Sequence, residues 1–366
     1  MRVALDVTSL VGHRTGIGLA VAETVDALRA LDAAPEVVPY ALSLRARGHR
    51  ASLPASTRFL PIPARLLLRA WGRADVPSVD RWLGDCDVVH ATNYLAPPSK
   101  RPTVVSVYDC SFLHFPETVS GDVRRFEPAI RRAIRRGAWV HTGSEFVAGE
   151  IRDAFGRELH DPARVVVVPL GIPRAAEAST AALPVARPFV LAVGTLEPRK
   201  NFDRLVQAFA ELAVAHAELA LVLAGSDGPA RPAVDAAVAA LSPSVAPRVH
   251  LLGPVDDPTR TALLEAASVL AYPSRYEGFG FPVLEAMRAG IPVVAAAAGS
   301  VPEVAGDAAF LVDPLDVHAI ATGLATALDD VAERDRLVTA GRARAGTFTW
   351  AATARGLVDL YARAGS

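Results

Sequence analysis

Cysteine, long apolar runs and net charge are all scarce in this chain, and each scarcity removes a class of answer. Cys86 and Cys110 are the only two cysteines among 366 residues. Two cannot build a disulfide framework, and neither has a second Cys or a His at metal-finger spacing, which points to a reducing compartment and away from structural zinc. Apolar stretches such as Ile291 to Gly299 fall well short of the ~20 residues that a bilayer span needs. The first residues, Met1-Arg2-Val3-Ala4-Leu5-Asp6, carry no charged-then-apolar leader, so secretion is not indicated and a cytoplasmic protein is expected. With 38 basic against 39 acidic side chains and 51% hydrophobic residues, the composition is that of a globular chain and excludes global disorder. At roughly 100–200 residues per domain, two or three domains are expected.

Near-zero net charge hides a division. Residues 1–180 carry 23 Arg and Lys against 19 Asp and Glu, whereas the remainder carries 15 against 20. Much of the excess is arginine in two segments, Arg45, Arg47, Arg50, Arg58, Arg65, Arg69 and Arg73, then Arg124, Arg125, Arg131, Arg132, Arg135 and Arg136. Leu66, Leu67, Leu68, Trp71, Phe126, Ile130 and Ile134 are interleaved with them. Such segments suit either a solvated helix face or an arginine-edged apolar surface for anionic lipid, so peripheral contact with the inner face of a membrane is one expectation.

Short β-type runs alternate with longer helical patterns throughout, which predicts parallel sheets wrapped by helices. Strands are expected at Val3–Asp6, Val37–Tyr40, Val88–His90, Thr103–Val107, Trp139–Thr142 and Val165–Val168. The alternation restarts with strands at Phe189–Val193, Leu219–Ala224, Val249–Leu252, Val269–Tyr272 and Pro292–Ala295. Leu205, Val206, Phe209 and Leu212 mark a helix by their 3.6-residue spacing. Gly171 to Pro188 has no clear period and is rich in Ala, Pro, Ser and Thr. It reads as a linker, most narrowly at 179–188. Two α/β units of similar length imply a cleft, with ligands beyond the carboxyl ends of the strands.

The most informative tract is Pro273-Ser274-Arg275-Tyr276-Glu277-Gly278-Phe279-Gly280-Phe281-Pro282-Val283-Leu284-Glu285-Ala286-Met287. It leaves an expected strand, crosses a glycine-containing loop and enters a helix with proline in its first turn and Gly290 and Pro292 at its end. Gly278 and Gly280 allow close approach of the main chain to a ligand, and the N–H groups of a helix start suit a phosphate. Either glutamate alone would read as an exposed acid. Two acids on one strand-loop-helix device are placed to accept hydrogen bonds from sugar hydroxyls. A second tract, Leu191-Ala192-Val193-Gly194-Thr195-Leu196-Glu197-Pro198-Arg199-Lys200-Asn201, sets two adjacent cations after a strand end, where a diphosphate needs neutralising.

Together these tracts resemble the retaining nucleotide-sugar glycosyltransferases of family 4, which carry two glutamates with seven residues between them around Gly-Phe-Gly and a Gly-x-x-x-x-Arg-Lys-Asn turn. The resemblance implies a GT-B architecture: two Rossmann-like parallel-sheet domains facing across a cleft. The acceptor domain would span 1–178 and the donor domain 189–349, with the segment from about 350 to 366 returning to the first. It assigns Glu277 to donor-sugar hydroxyls, Glu285 to the ribose, Arg199 and Lys200 with Gly194 to the diphosphate, and Gly278, Phe279 and Gly280 to the same donor site. His250-Leu251-Leu252-Gly253-Pro254-Val255 resembles the strand end that reads the base, with Gly253 and Val255 as contacts. Ser300-Val301-Pro302-Glu303-Val304 and Phe348-Thr349-Trp350 also fit the pattern. The cations would stabilise the leaving diphosphate in place of a divalent metal. Asp85-Cys86-Asp87, the one Asp-x-Asp in the chain, precedes an expected strand at the end away from the cleft and makes a poor metal site. No cofactor is expected beyond the sugar nucleotide itself.

In the first half, Thr15-Gly16-Ile17-Gly18 is a weak dinucleotide signal by itself, since Val21 stands where a third glycine would be. The resemblance makes Gly16 and Gly18 approach the diphosphate or the acceptor. Val89-His90-Ala91-Thr92-Asn93-Tyr94-Leu95 and the tract from Val107 to Glu117 both end strands, and His90 and His114 are structural histidines by default. Relatives usually carry His-Asp where this chain has Tyr108-Asp109. Asp109 remains a catalytic candidate, whereas the tyrosine cannot change charge near neutral pH, which makes a sugar lacking a 6-hydroxyl more plausible. Thr142-Gly143-Ser144-Glu145-Phe146 matches a further landmark with an N-capping serine.

The leading expectation is therefore a metal-independent retaining enzyme that moves a hexose or deoxyhexose, of mannose or rhamnose type, from a nucleotide diphosphate sugar to a glycan or lipid-linked acceptor. No nucleic-acid partner is expected. A degenerate sugar-nucleotide-binding regulator is the alternative. A phosphorylase would need a lysine tract suited to pyridoxal phosphate, and a hydride-transfer enzyme would need the full glycine fingerprint.

Overall fold

The computed structural model describes residues 1–12, 16–42, 44–62, 64–71, 74–116, 125–181 and 183–366. The chain divides into two compact units, one of Met1–Pro173 with Phe348–Ser366 and one of Arg174–Thr347. In the first, strands β1 (Arg2–Asp6), β2 (Glu36–Ala41), β3 (Arg58–Phe59), β4 (Val88–Ala91), β5 (Thr103–Ser106), β6 (Trp139–Thr142) and β7 (Val165–Val167) form one sheet in the order 3-2-1-4-5-6-7. In the second, β8 (Phe189–Val193), β9 (Ala220–Ala224), β10 (Val249–Gly253), β11 (Val269–Tyr272), β12 (Val293–Ala296) and β13 (Phe310–Val312) follow the order 10-9-8-11-12-13. Every strand pair is parallel.

The sequences of the central strands explain this. Phe-Val-Leu-Ala-Val of β8 and Ala-Leu-Val-Leu-Ala of β9 are buried at every residue. A strand covered by helices on both faces needs a continuous apolar run instead of an alternating one. The helix Phe202–Ala215 lays Phe202, Leu205, Val206, Phe209 and Leu212 onto that sheet. In both sheets the strand order reverses about the first strand of the unit, between β1 and β4 and between β8 and β11. Ligands of open α/β sheets bind at such switch points, beyond the carboxyl ends of the strands.

The expected linker is corrected. The stretch 179–188 is no free-standing linker: the Ser179 N–H donates to the Pro258 carbonyl at 3.1 Å, Arg187 donates to the Glu265 carbonyl at 2.8 Å, and Val185 is buried. These bonds bring residues from 174 onward into the second unit. The chain returns to the first unit at Phe348, where Trp350 Nε1–H donates to the Ile172 carbonyl and Leu357, Leu360 and Tyr361 enter the core. Strands β3 and β13, of two and three residues, were not expected, because such lengths display no period.

Most of the described apolar residues of the arginine-rich segments face inward. Leu67, Trp71, Ile130 and Ile134 are core residues, while Leu66 is exposed. Arg131 pairs with Glu127 and Glu158, Arg135 with Glu158, and Arg132 and Arg136 both with Asp75, at 2.7–3.0 Å. The described part of the second segment is thus an ion-paired helix face. Arg73 and Arg124 lie outside the described residues. Among the described residues, no helix is long and apolar enough to cross a membrane.

Candidate active site

Two loops at the switch point of the second unit bring most of the candidate site residues together. The first leaves β8 through Gly194, whose φ of +151° and close neighbour Lys200 leave little room for a side chain. A Cβ there would stand 3.2 Å from Lys200 Cε. The loop then forms a single turn, Pro198–Lys200, and ends at Asn201 in the left-handed conformation before the helix Phe202–Ala215 begins. Asn201 is buried and donates through Nδ2 to the carbonyls of Pro273 and Pro314 at 3.1 and 2.6 Å. One side chain thereby fastens the β8 loop to the loop after β11. The Arg275 N–H, donating to the Arg199 carbonyl at 2.7 Å, adds a second tie.

The second loop delivers Glu277. Its carbonyl accepts from the Ser300 N–H at 3.1 Å and from Ser300 Oγ–H at 3.0 Å, and the backbone at Gly299 passes close to it. The Ser300-Val301 tract therefore buttresses Glu277 from behind. Gly278 and Phe279 are buried, and Phe279 meets Phe281 edge to face at 5.2 Å. Gly280, at φ +99°, stands at the N-cap of the helix Phe281–Ala289, a conformation that glycine adopts without steric cost.

The loops bring Glu277, Lys200 and Arg199 together. Lys200 Nζ–H donates to Glu277 Oε1 at 2.6 Å and to Tyr272 Oη at 3.2 Å, and Arg199 donates to Glu277 Oε2 at 2.9 Å. Arg199 Nε also lies 2.7 Å from Glu197 Oε2. Burial alone would raise the Glu277 carboxyl, but the Lys200 ammonium and Arg199 guanidinium outweigh it and hold it at about 2. Burial draws Lys200 below its ordinary value, against the pull of Glu277.

Glu285 is buried on the helix Phe281–Ala289 and ion-paired with Arg260 of the helix Asp257–Ala266. Burial raises its carboxyl above the usual range, countered in part by Arg260. Arg260 was not singled out in the sequence. The start of its helix is legible from Asp256, which accepts from the Thr259 N–H, and from Pro258, but no local pattern marks an arginine as the partner of a glutamate 25 residues on. Gly253, at φ +70°, ends the edge strand β10, and half-buried Val255 follows it. The β9 strand separates both from β8 and the Lys200 cluster, and they precede the helix that carries Arg260.

In the first unit, Gly16 opens the helix Gly16–Arg29 and Gly18 is buried within it, while Thr15 and Glu117 lie outside the described residues. Asp109 accepts from the Ser111 N–H and Oγ–H at 3.0 and 2.7 Å. It borders an aromatic cluster in which Tyr94 stacks on Phe126 at 4.4 Å and meets Tyr108 edge to face. Burial pushes the Tyr108 phenol up to about 12. His114 pairs with Glu150. His90 is buried between Tyr361 Oη and Ser106 Oγ, at 2.7 and 2.8 Å, and Ser106 reaches His141 Nδ1 at 2.8 Å. The carbonyl of Val168 only accepts, so His141 Nε2 carries the proton of their 3.1 Å bond and the chain of donors is fixed from Tyr361 onward. Both histidines are structural and neutral, their pKa values driven down chiefly by burial. Asp6, at the carboxyl end of β1, was also not singled out. It is buried and pushed up to about 6 by desolvation. Among the described residues, no group of three or more His, Cys, Asp or Glu is arranged to hold a metal ion.

Comparison with known proteins bears on the family and the fold. The family model "Glycosyl transferases group 1" matches residues 174–344, and "Glycosyltransferase Family 4" matches residues 14–175. The O-antigen chain mannosyltransferase B of Escherichia coli is 30% identical over 288 residues, covering 75% of this chain and 74% of that protein. Sucrose-phosphate synthase from Thermosynechococcus elongatus has the same fold, with a TM-score of 0.74 at 21% identity over 99% of this chain and 98% of that one. The Anabaena HepE protein, solved in complex with UDP and glucose, gives a TM-score of 0.71 at 20% identity over 99% and 100% of the two chains. With two parallel-sheet α/β units of GT-B type, both matched by the family models, the chain belongs to the family 4, group 1 glycosyltransferases.

Proposed function

We propose that this glycosyltransferase is a retaining, metal-independent enzyme that moves a mannose- or rhamnose-type sugar from a nucleotide diphosphate sugar to a hydroxyl of a glycan or lipid-linked glycan. The observation that carries the donor assignment is the Lys200–Glu277–Arg199 cluster at the switch point between β8 and β11. Two cations beside the start of the helix Phe281–Ala289 supply positive charge where a diphosphate leaves with the bonding electrons of the anomeric carbon. Stabilising that charge is the work that a divalent metal does elsewhere, so none is required. Glu277 is placed to accept from sugar hydroxyls and to hold the sugar in register while positive charge develops on it. Glu285, oriented by Arg260, accepts from the ribose.

The retaining course is supported by the resemblance of the tract from Pro273 to Met287. The sugar class is supported by the name of the Escherichia coli relative, a mannosyltransferase. Tyr108, standing where relatives carry histidine, favours a sugar without a 6-hydroxyl. The acceptor class is supported by that relative's part in O-antigen chains.

The test is a thermal-shift screen with GDP, UDP, ADP and dTDP, followed by transfer assays with the corresponding mannose and rhamnose donors. Binding the native state raises its stability by mass action, so the cognate diphosphate is expected to raise the unfolding temperature most. NMR of the product is expected to show the donor's anomeric configuration kept. Inversion, or a requirement for added metal, overturns those parts of the reading.

A further inference from the structure

The two cations assigned to the diphosphate are engaged by carboxylates of the chain itself. Glu277 spans both, at 2.6 Å from Lys200 Nζ and 2.9 Å from the Arg199 guanidinium, and Glu197 takes a further face of Arg199 at 2.7 Å. Two positive and two negative side chains thus balance within the site. Glu277 and Lys200 are almost fully buried, at 6% and 8% exposure. A buried carboxylate stripped of its partners is costly, as is a buried ammonium.

From this balance we infer that Glu277 competes with the nucleoside diphosphate for Lys200 and Arg199, and that this competition drives release of the product nucleotide once the sugar has left. The inference rests on the donor-site reading above. While the sugar nucleotide is bound, hydroxyls of the sugar donate to the Glu277 carboxylate and compensate it for cations shared with the diphosphate. After transfer those hydroxyls depart with the acceptor. The bare diphosphate and Glu277 are then two anions over the same two cations, and re-forming the Lys200 and Arg199 contacts favours departure of the mobile one. Glu277 cannot leave the contest by taking a proton, since the same cations hold its carboxyl at about 2. Nor is it positioned to withdraw, because Ser300 grips its carbonyl through two hydrogen bonds and Asn201 ties the loop to the Lys200 turn. The fixed residue makes the site discriminate between donor and product, which carry the same nucleotide.

Calorimetry and stopped-flow displacement with GDP, UDP, ADP and dTDP on wild type, Glu277→Gln, Glu277→Asp and Lys200→Ala test this. Glutamine keeps the shape and removes the charge, and aspartate keeps the charge but is too short to span both cations. The expected result is that Glu277→Gln binds the cognate bare diphosphate about tenfold tighter and releases it more slowly, with Glu277→Asp between it and wild type. Equal or weaker binding of the diphosphate by folded Glu277→Gln and Glu277→Asp, with Lys200→Ala weakened, overturns the competition while leaving the donor site in place. Should none of the four diphosphates bind wild type, or should Lys200→Ala bind as wild type does, the donor-site reading falls and the competition with it.

Discussion

Lys200 Nζ and Glu277 Oε1 stand 2.6 Å apart although 77 residues separate them in the chain. The contact exists because β8 and β11 are neighbours in the sheet, so the loops beyond their carboxyl ends converge. Removing one partner of such a buried pair leaves the other uncompensated, and Lys200→Ala is expected to cost about 3–5 kcal/mol of stability. It also removes charge aimed at the leaving diphosphate, which lowers kcat by roughly 10²–10³. Denaturation midpoints and steady-state rates check both effects. A folded Lys200→Ala enzyme with wild-type kcat contradicts the assignment.

Turnover is expected to persist in EDTA. Arg199, Lys200 and the start of the helix Phe281–Ala289 are the positive charge of the proposed donor site. Rates measured with the cognate donor before and after chelation, and again after adding magnesium or manganese, decide it. Abolition by EDTA with restoration by metal contradicts the expectation.

The donor half was the more legible part of the sequence, and the reason is local. Every strand of β8, β9, β11 and β12 is a continuous apolar run, and Gly194, Gly280 and Gly290 mark turns at positive φ where they were read as turns. The two-glutamate tract lies within one strand-loop-helix unit, so its spacing survives in the linear chain. What escaped notice depends on contacts distant in sequence. Asn201 binds carbonyls 72 and 113 residues away, and the Tyr361–His90 bond spans 271 residues. Arg260 and Asp6 look like ordinary surface charges until the fold buries their surroundings. The choice between the two readings of the arginine-rich helix Phe126–Arg135 is hidden in the sequence for the same reason: Glu158 and Asp75, which pair with it, lie on other segments.

The two glutamates are expected to fail in different ways. Glu285→Ala removes the carboxylate assigned to the ribose, so it weakens both the sugar nucleotide and the bare diphosphate. A charged hydrogen bond is worth about 1.5–3 kcal/mol, or roughly tenfold to a hundredfold in affinity. Glu277→Ala instead lowers kcat without weakening the bare nucleotide, because holding the sugar acts on the chemical step. Calorimetry with the diphosphate and steady-state rates on both variants separate them. Normal nucleotide binding by Glu285→Ala, or near-normal turnover by Glu277→Ala, contradicts the assigned roles.

Acid is expected to pull the first unit in two directions at once, and Asp6→Asn separates them. His141 is buried and neutral, with its pKa lowered from 6.5 to about 4, so the stability it contributes is full above pH 6.5 and is lost as pH falls through 4. His90 works in the same sense, also lowered by burial. Asp6 has the opposite sign: desolvation raises it from 3.8 to about 6, so its contribution is full below pH 3.8 and is lost as pH rises through 6. Each shift with a stated value amounts to about 3 kcal/mol, so the Asp6 and His141 slopes largely cancel over the shared window. Asparagine at position 6 keeps the oxygen that accepts from the Thr8 N–H and Oγ–H and never carries the buried charge. Asp6→Asn is therefore expected to be more stable than wild type at neutral pH, by up to about 3 kcal/mol, and to lose that advantage as pH falls to 4. All other titrating groups are common to the two proteins and drop out of the difference. Denaturant midpoints for both, taken in steps across this range, give the result directly. Parallel pH profiles for wild type and Asp6→Asn would show that Asp6 titrates as it does in the unfolded chain.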